Sequence, residues 1–221
     1  MKTMRLIALI FVGAFVMASC GGPSEKAAEI SERLEPGEKP ENAIVKTIDL
    51  NRSTVAWEGR NIRGPHDGTI GLNSGELYLV DDQIVGGNIV IDMNQIVVLD
   101  IENPERNARL RTHLESDDFF SVATFPKATF EMARIVKHED APAGSPNYTI
   151  AGNLTIKGIT HGVTFPAHVR VSDDQLTATA DFDLDRTLWD VRFGSGRFFD
   201  NLGDNIINDN FNLKLDIVAT R

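Results

Sequence analysis

The chain has 221 residues, enough for one large β-domain or two small ones, and a formal net charge of −10. With 32 acidic against 22 basic side chains, it is repelled by phosphate backbones and anionic bilayers, which argues against a nucleic-acid partner. Its single cysteine leaves no partner for an internal disulfide.

The first predicted element is an export signal. Lys2 and Arg5 precede the apolar run LIALIFVGAFVMA, thirteen residues long. That run is too short to span a bilayer comfortably and fits the h-region of a secretory signal. MASC follows, with small residues at Ala18 and Ser19, and resembles the lipobox of a bacterial lipoprotein. This reading makes residues 1–19 a signal peptide and puts acyl chains on Cys20. Dual acylation gives a stable membrane anchor, at about 0.8 kcal/mol per buried CH₂. The alternative is conventional cleavage beside an incidental thiol. Loss of Lys2 and Arg5 moves the charge from −10 by −2 to −12. The expected location is therefore the bacterial envelope, exported and lipid-anchored at the periplasmic face or outer membrane.

Residues 20–43 are rich in Glu, Lys, Pro and Gly, with Ile30 and Leu34 as their large apolar residues. Such a stretch buries too little surface to fold alone and predicts a flexible acidic tether. From residue 44 to 221 the pattern is β. Earlier strands are expected at about 54–60, 69–80, 83–93 and 124–136, with noisy alternation. Four later segments alternate cleanly, around Tyr148–Ile156, Val163–Val171, Leu176–Leu184 and Phe211–Ala219. Sustained period two marks antiparallel strands with one apolar face. VDDQI at 80–84 and SDDQL at 172–176 predict turns, and KGITHG places Gly158 and Gly162 around another hairpin. One helix interrupts the series: NPERNARLRTHLES offers Asn103 as N-cap, Pro104 at the first position, and Leu110 and Leu114 one turn apart. The fold class is all-β, an eight-stranded antiparallel barrel with one short helical crossover. A β-sandwich is the alternative.

A barrel of eight strands either fills with side chains or holds one slender ligand. The inward set mixes Tyr148, Phe165, Phe182 and Phe211 with Gly152, Ala167, Ala178 and Ala180, a mixture that suits both outcomes. Three stretches then carry a family resemblance. They are the double Phe119–Phe120 ahead of Pro126 and Phe130, the run Gly152, Leu154, Thr155, Lys157, Gly158, and a late Arg186 followed by a closing strand from Phe211 to Ala219. Over about residues 46–221 these resemble the YceI-like family, lipocalin-like barrels that bind polyisoprenoid chains.

The resemblance implies an apolar tunnel holding an isoprenoid lipid or quinone, and no catalytic apparatus or other cofactor. Candidate lining residues are Trp57, Phe130, Met132, Tyr148, Ile150, Leu154, Phe165, Val169, Phe182, Leu213 and Ile217. Arg186, Arg192 and Arg197 are candidate head-group contacts through their guanidinium forks, unless they serve backbone carbonyls and neighbouring aspartates. The segment DVRFGSGRFFDNLGDNIIND, longer than the family pattern, is placed to cap the barrel mouth. His66 with Asp67, His113 with Asp117 and Asp118, and His161 with His168 lack the close pairing of a metal cluster, so no metal is expected. Asp181, Asp183 and Asp185 read as a solvated outer face. No nucleophile elbow, P-loop or dinucleotide fingerprint occurs. The expected partners are an isoprenoid lipid and, through the anchor, a membrane. A monomer and a homodimer both stay open, as do two alternative functions, a filled barrel acting through loops such as 192–208 and an enzyme using these Arg and His residues on a lipid-derived substrate.

Overall fold

The computed structural model describes residues 26–220, so the signal run and Cys20 lie outside the described residues. Ten strands follow one another: β1 (Glu29–Ser31), β2 (Ile44–Ile48), β3 (Thr54–Asn61), β4 (Gly64–Val80) and β5 (Gln83–Val98). Helix α1 (Pro104–Glu115) crosses to β6 (Lys127–Lys137), then β7 (Tyr148–Ile156), β8 (Ile159–Val171), β9 (Gln175–Asp185) and β10 (Asn210–Thr220). From β3 to β10 each strand pairs antiparallel with the next, and β10 returns to β3, with Leu213 opposite Trp57. The sheet thus closes as an eight-stranded antiparallel barrel with one α-helix, as the alternation predicts. Closure leaves inward side chains no solvent face, and the core is one cluster from Ile48 to Ala219.

The noisy early strands have a physical cause. The β4–β5 register shifts between Ile70 and Gly71, between Leu72 and Ser74, and between Tyr78 and Leu79. Each shift resets which face a residue takes, so period two breaks although pairing continues. The strands are accordingly longer than expected, β4 starting at Gly64 and β5 ending at Val98. The short β2, which no alternation announces, pairs Glu76–Leu79 of β4 and the end of β10. It completes the wall position that β3 occupies higher up. The turns also resolve: Lys157 and Gly158 both take positive φ, 49° and 73°, the pattern of a tight two-residue hairpin.

Residues 26–37 correct the tether expectation. β8 and β9 pair only from His168 to Val171 with Leu176 to Thr179, and the seam above is open. The N-terminal segment fills it. Glu29–Ser31 pairs antiparallel with Gly162–Thr164, while the Asp183 amide donates to the Lys26 carbonyl and Ala28 donates back to Asp183. Lys26 Nζ binds Asp181 at 2.7 Å, and that hydrogen bond holds the Asp181 carboxyl below its ordinary pKa. The strap then crosses β7, where buried Asn153 accepts from the Leu34 amide and donates to its carbonyl at 2.8 and 2.9 Å. Gly162 belongs to this crossing and not to the hairpin turn. A Cβ there would collide with Ser31 Oγ and the Glu32 carbonyl. The strap's own composition is too polar to fold, yet a seam with unpaired backbone groups gives it partners.

Asn153→Ala is expected to free the strap locally. It leaves the Leu34 amide and carbonyl unpaired, at about 1–3 kcal/mol. Amide exchange at Ile30–Leu34 should accelerate about tenfold or more, with the melting temperature moved little. Unchanged protection would show that the strap is held by other contacts.

Candidate functional site

The turns between β3 and β4 and between β7 and β8, the α1 crossover and the β9–β10 connection all gather at one end of the barrel, here termed the mouth. The other end is a sealed floor of Leu77, Leu79, Tyr148, Val169, Leu176 and Ala219, all nearly inaccessible. Lys46 also closes it, donating to the carbonyls of Ser172 and Asp173. Between floor and mouth lie three apolar chambers of about 40, 60 and 150 Å³, widening upward.

The upper chamber is the main one. Val55 and Trp57 of β3, Ile91 and Met93 of β5, and Phe211 and Leu213 of β10 form its walls. Trp57 donates its indole N–H to the Thr69 carbonyl at 3.2 Å, which leaves the ring itself for the cavity. The lid comes from segments without period two. Asn103 caps α1 through Arg106, and Asn107 ties the helix to the carbonyls of Val98 and Ile101. Leu114, Phe119 and Phe120 are thereby set over the opening, with Val191 and Ile207 arriving from the opposite loop. These lid residues carry no alternation signal, although Phe119, Phe120 and the 190–209 loop stand out as motifs.

The middle and lower chambers share Phe130, Phe165 and Ile217. Phe165 stacks on Phe182 at 4.2 Å and lies 5.7 Å from Phe130, so three rings form a waist. Leu154 and Leu213 line both the upper and the middle chamber, and Met132 and Ile150 line the lower one. Tyr148 and Val169, candidates by parity, sit instead in the floor, below all three spaces. Parity places a side chain inside a barrel but says nothing of its depth.

The three arginines separate. Arg186 is 5% exposed and borders the upper chamber. Its Nε, Nη1 and Nη2 donate to the carbonyls of Asn208, Val191 and Ile207 at 3.0, 2.7 and 3.0 Å. Burial pulls its pKa below the usual arginine value against the opposing pull of Asp209 and Asp185, and a guanidinium stays charged regardless. Arg186 therefore staples both ends of the β9–β10 connection together. Arg192 and Arg197 lie outside the chamber. Arg192 pairs with Asp190 and stacks over Phe198, and Arg197 binds Asp185, Thr187 and Asp209. The acidic strand face is equally engaged, Asp181 by Lys26, Asp183 by Asn212 and Asp185 by Arg197.

A vestibule of about 300 Å³ leads into the upper chamber, sharing Trp57, Leu114, Phe119 and Ile207 with it. Arg60, Asn61, Arg63, His66, His113, Asp204 and Asn205 line it together with the apolar Leu110 and Phe193. Arg60 pairs with Glu58, His66 with Asp100 at 2.7 Å, and His113 with Asp118 at 3.2 Å. Arg63 forms no side-chain ion pair among the described residues. Two histidines singled out in the sequence thus meet here, each held by its own carboxylate. Arg60, Arg63 and the asparagines escape sequence reasoning, since only barrel closure brings the 60s hairpin and the 204–207 loop together.

An apolar barrel interior behind a vestibule of mixed lining is joined by a match along the chain. The YceI-like domain profile matches residues 47–219. The chain belongs to the YceI-like family. UPF0312 proteins of Yersinia pestis (strain Pestoides F) and of Yersinia enterocolitica are similar at 38% and 36% identity over 77 residues. That match spans 35% of this chain and 33% of either relative. Among solved structures, BcnA of Burkholderia cenocepacia superposes with a TM-score of 0.61 at 25% identity, over 78% of this chain and 99% of BcnA. A polyisoprenoid binding domain from Saccharophagus degradans gives a TM-score of 0.55 at 13% identity, over 79% and 97% of the two chains. The second likeness concerns the fold alone. This YceI-like barrel shares that architecture, with a strap in its seam and a stapled loop over its mouth.

Proposed function

We propose that this YceI-like barrel binds an isoprenoid lipid or quinone without catalysing its conversion, and that it sequesters or carries the lipid in the bacterial envelope. The observation that carries this reading is the apolar chamber of about 150 Å³ opening into a vestibule that brings arginine and histidine side chains to a largely apolar wall. An apolar space of that kind offers water no partners and receives hydrocarbon readily. The isoprenoid tail enters the chamber past Trp57, and the head group stays in the vestibule with Arg63, His66 and His113. Acylated Cys20 holds the barrel at a membrane.

Each isoprene unit has five carbons, so its burial contributes up to about 4 kcal/mol. Three or four units offset the cost of association and reach about micromolar affinity. A tail long enough to approach the floor has to pass the waist of Phe130, Phe165 and Phe182.

Titration with a short-chain ubiquinone tests the site, because a quinone beside Trp57 quenches its emission. Saturable quenching in the micromolar range is expected, and Trp57→Phe should lose most of the signal while a radiolabelled quinone still binds. Absence of saturable binding by both readouts would contradict the proposal.

A further inference from the structure

We infer that the mouth end of the barrel is a membrane-docking face, which presents the open cavity directly to the lipid bilayer. The inference rests on the lipid-carrier reading above and extends it to how the lipid arrives. Exposed apolar side chains ring the opening. Ile62 at the β3–β4 tip is 63% exposed and Leu99 beyond β5 is 60% exposed. Leu188, Phe198, Phe199 and Ile206 stand out from the β9–β10 connection. Elsewhere the exposed large apolar residues, such as Ile44 and Val136, are scattered singly along the lower wall. A concentrated patch marks an interaction surface, whereas scattered residues need no explanation. Arg63 stands in the ring without a side-chain ion pair among the described residues, and such a side chain rests its stem on apolar surface with the charge at the headgroups, whereas Arg60 and Arg192 are paired with Glu58 and Asp190.

Chain length selects the bilayer as the occupant. Lys26 is fastened beside Asp183, two residues from the mouth end of β9. The rim is then about 7 Å away along the strand and the floor about 26 Å, at about 3.3 Å per residue. Cys20 precedes Lys26 by six residues, a reach of at most about 20 Å. The attachment point therefore lies nearer the mouth than the floor, so an acyl anchor at Cys20 favours the mouth as the face on the membrane. The ligand's chemistry points the same way. A tail passing through water exposes every isoprene unit at once, whereas a mouth seated in the interface lets it move between two apolar phases.

The test uses the full, lipidated chain in phosphatidylethanolamine–phosphatidylglycerol vesicles containing brominated acyl chains. Cys20 is the sole cysteine, so Phe199→Cys or Val136→Cys supplies one free thiol for a fluorophore. The label at 199 should be quenched several-fold more than the label at 136. The Phe198→Ser/Phe199→Ser double variant should load ubiquinone from vesicles at least tenfold more slowly, yet load from detergent at the wild-type rate. Equal quenching at both sites, quenching at neither (as for a face that binds a protein), or wild-type loading from vesicles would overturn the inference. Failure of the wild type to load even from detergent would strike the carrier reading instead, and the quenching pattern alone then decides the docking face.

Discussion

Replacing Ala128 by Trp is expected to abolish lipid loading and leave the barrel folded. Ala128 opens β6, points inward and borders the upper chamber beside Ile91 and Leu154. In a filled core such an enlargement forces neighbours off their rotamers and costs about 1–3 kcal/mol or more. Here the indole enters existing space, and the added contacts offset much of that cost. The ligand, in contrast, loses the volume that buries its first isoprene unit. At up to about 4 kcal/mol per unit, affinity should fall by two to three orders of magnitude. Denaturant unfolding and quinone titration of the same preparation check both halves. A strongly destabilised Ala128→Trp protein would mean the upper barrel is tightly packed. A stable one that binds normally would put the ligand somewhere else.

Arg186→Met should have the opposite profile, a large loss of stability. The buried guanidinium serves the carbonyls of Asn208, Val191 and Ile207 at once, and an apolar replacement leaves all three without a donor. Removing one side of such a buried charged network costs about 3–5 kcal/mol, which lowers the melting temperature by roughly 10 °C in a domain of this size. Arg186→Lys has a point charge in place of a fork and should recover only part of the loss. Arg192→Ala and Arg197→Ala remove exposed pairs and should each cost about 1 kcal/mol or less. If Arg186 acted chiefly on a head group, Arg186→Met would instead keep its stability and lose binding.

Much of the barrel is legible in the sequence because strand parity survives wherever pairing is regular. β7 to β10 carry long stretches of regular pairing, and their alternation alone marks Leu154, Phe165, Phe182 and Leu213 as inward. β4 and β5 blur because their bulges reverse parity within a single strand. The strap is illegible for a different reason. Ile30 and Leu34 are too few to signal a strand, and their partners, the open β8–β9 seam and Asn153, lie more than a hundred residues away. The site divides along the same line. Wall residues follow parity, while lid residues such as Leu114, Val191 and Ile207 depend on where α1 and the mouth loop come to rest. Arg186 is recognisable as important from its motif, but its role rests on three backbone carbonyls that a sequence does not display.

Whether the upper chamber holds an isoprenoid tail is decided by organic extraction and mass spectrometry of the full chain purified from membranes of its native host, with Ala128→Trp purified in parallel. An isoprenoid lipid or quinone is expected in near-stoichiometric amount with the wild type and should be lost from the variant. Absence of any isoprenoid from the wild type, or equal amounts in both proteins, would mean that the chamber is not a lipid site.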